Sequence, residues 1–376
     1  MMANDTTIDA ATGPAPGRPQ AGPRPLEGSV DARVGRGAPL SPNQRAWARF
    51  KRNRLGYLSL WIFVVLLVLA TLAELISNDR PLLARYDGKL YFPLIDNPPE
   101  RQFGGDFGTP TDWKDPLIRA QFARPGNWAL FTLNEHSDQS QDYFQKTPSP
   151  AAPSADDLLG TDGDSHDMVA KLIYGFRVSI WFAFALTLVG TVLGVIAGAI
   201  QGYFGGRVDL FLQRIFEIWG AVPELYLLII FASIFEPSLL LLLLLLSLWG
   251  WLGLSDYVRA EFLRNRNLEY VKAARALGLS NRQIIWRHVL PNSLIPVITF
   301  LPFRMSGAII ALTSLDFLGL GVPQNTPSLG ELLRQGKANL DAWWIMFPTF
   351  AVLALTMLLL TFIGDALRDA FDTRKS

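Results

Sequence analysis

Residues 178–200 read VSIWFAFALTLVGTVLGVIAGAI, an apolar run that carries no charged side chain. About 20 apolar residues in a helix span the hydrocarbon core of a bilayer, so this run alone is long enough to cross a membrane. Three further stretches also lack charged residues, namely 225–235, 237–255 and 343–363. Several such runs predict a polytopic membrane protein built from α-helices, because a helix satisfies its own backbone hydrogen bonds in lipid.

The composition of the whole chain excludes several classes of protein. Of its 376 residues, 50% are hydrophobic and only 18% are charged, which is too apolar for a soluble enzyme with one core. The sequence contains no cysteine, which rules out disulfide scaffolds and thiolate metal sites. A net charge of +1 argues against nucleic acid as a partner, since domains that bind nucleic acid usually carry a basic surface.

Hydropathy predicts six membrane spans, and the basic residues orient them. The predicted spans are 55–76, 178–200, 212–235, 238–255, 293–314 and 343–363. The residues just before the first span include Arg45, Arg49, Lys51, Arg52 and Arg54. Because basic residues collect on the cytoplasmic side, both termini are predicted to be cytoplasmic. The predicted cytoplasmic loop 256–292 carries seven Lys or Arg residues, whereas the outer loop 315–342 carries two.

The chain divides into four predicted parts. Residues 1–44 are rich in proline and glycine, a composition that cannot bury a core and therefore predicts a disordered cytoplasmic tail. Residues 45–76 form a basic amphipathic segment and the first span. Residues 77–168 predict a periplasmic insertion, whose scattered aromatic residues favour a small folded unit. Residues 169–376 contain the other five spans and the cytoplasmic loop.

Glycine recurs every four residues along and beyond the second span, at Gly190, Gly194, Gly198, Gly202 and Gly206. In a helix this spacing makes a smooth stripe, against which another backbone can pack closely. The stripe fits a seam between subunits or a sliding helix, and it also fits tight packing within one subunit.

The predicted cytoplasmic loop contains signals for two short helices joined by a turn. The first helix, Tyr257 to Leu277, continues the fourth span and stops at Gly278, since glycine readily adopts the left-handed conformation after a helix end. The second begins at Ser280, with Gln283 at the capping-box spacing, and ends near Pro291. This arrangement predicts a rigid elbow held by a partner protein, or an amphipathic helix that lies on lipid.

The residues of this loop also permit a comparison with a known family. The loop contains Lys272-Ala273-Ala274-Arg275-Ala276-Leu277-Gly278, then nine residues, then His288-Val289-Leu290-Pro291. This pattern resembles the EAA loop of ATP-binding-cassette (ABC) importer permeases, although Lys272 replaces the family's Glu and His288 its Ile. Four further motifs are similar to the dipeptide and oligopeptide branch: Gly160-Thr161-Asp162, 173–179, 316–321 and 364–370.

Two segments of the insertion narrow the resemblance. Residues 86–93 and 103–107 are similar to permeases of microcin C and oligopeptide uptake systems. One departure is Ser165-His166-Asp167, where the wider family usually has Gly-Arg-Asp. The resemblance covers 45–376 and implies an all-α, six-span, type I ABC importer permease with a large periplasmic insertion between its first two spans.

The resemblance also implies a division of labour. The chain would move peptides, with microcin C-like antibiotics as candidate cargo, across the bacterial inner membrane without catalysing a reaction. Its partners would be a second permease subunit, a periplasmic substrate-binding protein and a cytoplasmic ABC ATPase. ATP and Mg would bind to that ATPase, because this chain lacks a phosphate-binding Gly-x-x-x-x-Gly-Lys-Ser/Thr pattern. The residues implied in coupling are Lys272, Ala273, Ala274, Arg275, Gly278, Arg287, His288 and Pro291.

Charged residues inside predicted spans are costly and usually face a partner or a water-filled path. Glu224 lies in the third span and Arg304 in the fifth. They are predicted either to line a peptide pathway, since peptide termini carry both charges, or to form one internal structural pair.

The outer segment after the fifth span contains Asp316, Gly319, Gly321 and Pro323. In the family this segment belongs to the periplasmic gate. Its glycines and prolines predict a packed, partly re-entrant loop, because the leucines around them need burial: Leu318, Leu320, Leu329, Leu332 and Leu333.

The sequence favours neither a metal site, nor an ion-coupled secondary transporter, nor an intramembrane enzyme. His136, His166 and His288 are far apart, with neither a His-x-x-x-His pattern nor a carboxylate cluster beside them, which predicts no metal site. An ion-coupled secondary transporter would show inverted repeats and broken helices. An intramembrane enzyme would carry a catalytic constellation within its spans. The sequence shows neither an internal repeat nor such a constellation.

Overall fold

The computed structural model describes residues 41–141, 147–155, 157–323 and 325–372. The predicted disordered tail, 1–44, lies outside these residues except at its end. There the first helix begins at Pro42, slightly before the predicted basic segment.

Helices dominate the described residues. They are α1 (Pro42–Arg52), α2 (Arg54–Thr71), α3 (Ala73–Ile76), α4 (Pro116–Phe122), α5 (Met168–Phe204), α6 (Gly206–Gly220), α7 (Glu224–Ile234), α8 (Leu239–Ser247), α9 (Leu252–Asn265), α10 (Glu269–Ala276), α11 (Asn281–Ile284), α12 (Leu290–Phe317), α13 (Leu329–Ala338) and α14 (Trp343–Phe371). A 3₁₀ helix covers Glu100–Phe103, and a π-helical turn, Ile285–Val289, joins α11 to α12. The strands are β1 (Leu83–Tyr86), β2 (Lys89–Tyr91) and β3 (Trp128–Leu130).

The described chain has four helices long and apolar enough to cross a membrane, or six spans if two bent pairs are included. The four are α2, α5, the continuous helix Asn281–Phe317, and α14. The third predicted span is α6 with α7, bent by 58°, and the fourth is α8 with α9, bent by 40°. Pro223 explains the first bend, because proline lacks the N–H that a helix needs. Gly250, a weak helix former, lies at the second.

Helix α5 is the centre of the bundle and packs along α9 and α12, while α14 packs along α2 and α12. The glycine stripe faces α9. An added Cβ at Gly198 would lie 2.4 Å from the backbone oxygen of Ser255, and Gly194 and Gly202 have contacts at 2.9 and 2.5 Å. The stripe therefore packs inside one chain, the second of the two interpretations. Gly206 is not part of it, because it begins α6 and faces open space.

The insertion contains an antiparallel sheet in the order β2-β1-β3. Asp87 and Gly88 join β1 to β2, both at positive φ, as a two-residue hairpin turn requires. Beside the sheet is a buried cluster of Ala84, Phe103, Trp113 and Ile118, covered by Tyr86, Tyr91, Phe122, Ala129 and Phe131. The side of the membrane on which this unit lies stays a prediction.

Candidate functional site

The first arm of the elbow differs from its prediction. A single helix from Tyr257 to Leu277 was wrong, because α9 ends at Asn265 and α10 begins only at Glu269. Asn265 is buried and donates from Nδ2 to Ser293 Oγ of α12 at 2.9 Å. Asparagine is a weak helix former, and this tertiary hydrogen bond holds it at a helix end that helical periodicity does not reveal.

The turn of the elbow is a Schellman motif centred on Gly278. Gly278 has a φ of +79°. Its N–H donates to the carbonyl of Arg275 at 3.0 Å, and the N–H of Leu279 donates to the carbonyl of Ala274 at 3.2 Å. These two bonds satisfy carbonyls that the end of α10 would otherwise leave unpaired. The predicted left-handed stop at Gly278 is confirmed.

The second arm begins as predicted and ends differently. Ser280 and Gln283 form both halves of a capping box at the start of α11. The arm does not end near Pro291. Instead, the π-helical turn carries it directly into α12, and Pro291 lies in the first turn of that helix. Proline is tolerated there because a local π-helical adjustment can accommodate the missing N–H of a proline within a helix. The elbow is therefore continuous with the fifth span.

Most of the implied coupling residues lie on the surface of the elbow. Those exposed are Lys272, Ala273, Arg275, Gly278, Arg287 and Pro291, and His288 is half-buried. Ala274 is buried and supports the elbow from inside, in a cluster with Val271 and Ile284. Leu277 and Trp286 are 80% and 65% exposed.

The base of the elbow is tied to α5 and α6 by polar contacts that the sequence did not reveal. Arg259 of α9 binds the Asp209 carboxylate with two hydrogen bonds, of 2.5 and 2.8 Å. Arg266 donates to the carbonyl of Tyr203 at 3.1 Å, and the Tyr203 hydroxyl donates to Asn281 Oδ1 at 2.8 Å. These contacts join residues 50 or more positions apart. They connect the elbow to two other helices, so a force applied at its tip would reach the bundle.

The two charges predicted within spans are not brought together. Arg304 donates to the carbonyl of Gly250 at 2.9 Å, at the bend between α8 and α9. Glu224 begins α7, and within the described part of the chain it forms neither an ion pair nor a side-chain hydrogen bond. The internal pair is therefore not formed in this structure. Pathway lining by Glu224 and Arg304 stays a prediction.

Asp316 organises the outer segment. Its carboxylate accepts hydrogen bonds from the Val322 N–H, at 2.9 Å, and from the Ser328 hydroxyl. An added Cβ at Gly321 would lie 1.6 Å from Asp316 Oδ1, so only glycine fits there. Gly319 has a φ of +74°, and Pro323 is exposed.

The leucines of the outer segment are not all buried. Leu329 and Leu332 are 1% exposed, and Leu320 and Leu333 are partly buried. The expectation for Leu318 was wrong, because that side chain is 59% exposed. It lies directly after α12, beside a pocket that it shares with Glu331 and Arg334 of α13. The loop is nevertheless packed, because α13 lies against both α12 and α14.

Replacing Asp316 with alanine is expected to destabilise the outer segment. The change leaves the buried hydroxyl of Ser328 and the N–H of Val322 without their acceptor, at a cost of about 1–3 kcal/mol. Thermal unfolding in detergent would show a lower midpoint for Asp316→Ala. Asp341→Ala is the matched control, because Asp341 is exposed just after α13. Equal midpoints for the two variants would exclude Asp316 as the organiser.

His136 and His166 have carboxylate neighbours, which the sequence did not predict. His136 lies with Asp157 and Asp167, and His166 with Asp162 and Asp164, in groups whose ligand atoms are within 4.8 Å of one another. Both groups offer a histidine nitrogen and carboxylate oxygens, which are ligand atoms that a divalent cation can use. The group around His136 joins residues that are distant in sequence, so no local pattern reveals it. Asp162 and Asp164 precede His166 by only four and two residues, so that group could have been recognised from the sequence.

His166 and Asp162 also interact directly. His166 Nδ1 is 3.2 Å from the Asp162 carboxylate, whose Oδ1 accepts the backbone N–H groups of Asp164 and His166. Burial alone would raise the pKa of Asp162, but the hydrogen bonds from His166 and the charge of Lys171 hold it below its ordinary value.

The profile of a family described as "Binding-protein-dependent transport system inner membrane component" matches residues 168–376. A second profile, "N-terminal TM domain of oligopeptide transport permease C", matches residues 41–98.

Three relatives illustrate the similarity. The inner membrane ABC transporter permease protein YejE of Escherichia coli (strain K12) is 49% identical over 90% of this chain and 99% of its own length. The peptidoglycan transport system permease protein YejE of Agrobacterium fabrum is 44% identical over 89% and 93%. The oligopeptide transport system permease protein OppC of Haemophilus influenzae is 35% identical over 60% and 73%.

Proposed function

Because the chain belongs to the family of binding-protein-dependent transport system inner membrane components, we propose that it is the permease subunit of an ABC importer for peptides. It is a multi-pass protein of the inner membrane. In the proposed arrangement both termini face the cytoplasm, the insertion faces the periplasm, and peptides move inward. The chain forms the translocation path and catalyses no reaction.

The observation that carries this proposal is the elbow. Its tip exposes Leu277 and Trp286, while its base is bonded to α5 and α6 through Tyr203 and Asp209. Such a shape suits docking into a groove on a cytoplasmic ABC ATPase, which would hold the ATP and Mg. When the ATPase closes, a rigid elbow continuous with α12 would transmit the movement to the spans. Packed helices that switch between two arrangements are a common way to carry such motion.

The proposed assembly needs two more partners. A second permease subunit would complete the path as a heterodimer, and a periplasmic substrate-binding protein would deliver the peptide. We place Glu224 and Arg304 along the path, where the two termini of a peptide would meet opposite charges. Two of the relatives are named as permeases of a peptidoglycan transport system and of an oligopeptide transport system. Short peptides are therefore the proposed cargo, with microcin C-like peptide antibiotics as a narrower possibility to test.

An ion-coupled secondary transporter is the alternative, and the two bent spans are features that it would share. The elbow favours the ABC importer. A transporter that works without an ATPase has no use for an exposed apolar tip on a rigid cytoplasmic base.

Docking of the elbow can be tested by site-specific crosslinking, since the sequence contains no cysteine to interfere. Leu277→Cys carrying a photoreactive maleimide is expected to give an adduct with an ABC ATPase, identified by peptide sequencing. Leu133→Cys is the matched control, because Leu133 is 94% exposed in the insertion. An ATPase adduct from position 133, or none from position 277, would contradict the proposed docking.

A further inference from the structure

A polar cavity of about 490 Å³ lies between the insertion, the start of α5 and the start of α13. Its volume falls in the range typical of small-ligand pockets. Its charged and titratable lining residues are Asp138, Asp162, Asp164, His166, Lys171 and Glu331. Three separate segments of the chain therefore meet around one polar space, whose lining includes neither the elbow nor Glu224 and Arg304.

Lys171 is the unusual residue of this cavity. It is only 8% exposed and lines the cavity from the first turns of α5. Its ammonium group makes neither a hydrogen bond nor an ion pair with any residue that the structure describes. The charges of Asp138 and Asp162 act on Lys171, but no described acceptor hydrogen-bonds its ammonium group, and a cation close to the positive end of a helix dipole is disfavoured. Lys171 is therefore placed to receive an anionic group from a ligand.

The acidic residues of the cavity differ in whether they already have hydrogen-bond or ion-pair partners among the described residues. Asp162 accepts hydrogen bonds from His166 and from the backbone of its own loop. Glu331 is bound by Arg334 through two hydrogen bonds, of 2.6 and 2.7 Å. Asp138 and Asp164, by contrast, form no ion pair with a described residue. Two carboxylates are thus available for a cationic group in the same cavity as Lys171.

The charges together restrict the ligand. A simple anion would meet the carboxylates, and a simple cation would meet Lys171. A zwitterion satisfies both kinds of charge at once, because it carries a carboxylate and an ammonium group. Charge-assisted hydrogen bonds of this kind are among the stronger polar contacts in proteins.

We propose that this cavity binds an amino acid or short peptide, with the ligand carboxylate on Lys171 and the ligand ammonium on Asp138 and Asp164. As a subsite on the route of import, this inference rests on the proposed transport function. As a binding site it can be tested alone, because the cavity belongs to this chain.

The test measures equilibrium binding of radiolabelled tri-alanine to the membrane-embedded importer complex, purified without its soluble binding protein. Lys171→Met is expected to weaken binding about tenfold or more, the loss of one charge-assisted hydrogen bond. Lys171→Arg should restore most of it. Lys89→Met is the matched control, since Lys89 is exposed in β2 and lies outside the cavity, and it should bind as the wild type does. Tri-alanine blocked by N-acetylation or C-amidation should also bind about tenfold less well.

Stability separates a binding role from a structural one. If Lys171 serves ligand binding, Lys171→Met removes a largely buried ammonium group that no described residue hydrogen-bonds, and the unfolding midpoint should change little. A large fall in the unfolding midpoint would assign Lys171 to the fold instead. Unchanged tri-alanine binding by Lys171→Met, equal binding of the blocked peptides, or no saturable binding by the wild type would each overturn the inference.

ATP-dependent uptake by the same wild-type complex distinguishes this inference from the transport function. If the wild-type complex imports tri-alanine and Lys171→Met binds it normally, the proposed cavity site is wrong and the transport function stands. Tri-alanine binding that depends on Lys171, without any ATP-dependent uptake, would support the site and contradict the transport function.

Discussion

Gly278→Val is expected to abolish ATP-driven uptake while the protein still reaches the membrane and folds. Gly278 adopts a φ of +79°, which costs a residue with a side chain about 1–2 kcal/mol. A valine would relieve that strain by leaving the left-handed region. The hydrogen bonds to the carbonyls of Ala274 and Arg275 would then be lost, and with them the angle between the arms of the elbow.

Space is not the obstacle at this position, because an added Cβ would meet nothing within 4 Å. Gly278→Asn is therefore the matched control, since asparagine tolerates the left-handed region far better than valine does. Uptake of labelled peptide by cells, with permease in the membrane quantified by immunoblot, measures both variants. Gly278→Asn should retain most uptake and Gly278→Val should retain none. Normal uptake by Gly278→Val would refute the coupling role of the elbow.

Gly198→Val is expected to destabilise the fold strongly, because here the added side chain has no room. Its Cβ would lie 2.4 Å from the backbone oxygen of Ser255 and 2.7 Å from the Cβ of Val258. Neither atom is the end of a flexible side chain, so α5 and α9 would have to separate. Overpacking of a tight interface typically costs about 1–3 kcal/mol, and a branched side chain against backbone lies at the upper end.

Gly253→Val is the matched control for this substitution. Gly253 lies in α9 itself, but an added Cβ there meets nothing within 4 Å. Thermal unfolding of the detergent-purified proteins, followed by the loss of the monodisperse peak in size-exclusion chromatography, measures the difference. A midpoint for Gly198→Val as high as that for Gly253→Val would show that the stripe is not a close backbone contact.

Structural features that involve only a few consecutive residues were predictable from the sequence. The left-handed stop at Gly278 and the capping box of Ser280 and Gln283 depend on a few neighbouring residues, so their spacing was enough to find them. The bends were missed because hydropathy averages over a span, although Pro223 was a visible signal for the first.

Contacts between distant residues were not predictable. Asp209 and Arg259 are 50 residues apart, and no local sequence pattern links them. In the insertion, composition indicated a folded unit but could not separate the buried Phe103 from Phe107, which is 64% exposed. That distinction depends on which strands pair and where α4 packs, and neither is encoded in a short window.

Uptake by proteoliposomes tests the central claim most directly. The vesicles would contain this chain with its second permease subunit and the ABC ATPase, and the binding protein and labelled tri-alanine would be supplied on the periplasmic face. The account predicts accumulation only when ATP is present on the side of the ATPase, and none when the chain is reconstituted alone. Accumulation by the chain alone, driven by an ion gradient and indifferent to ATP, would contradict it.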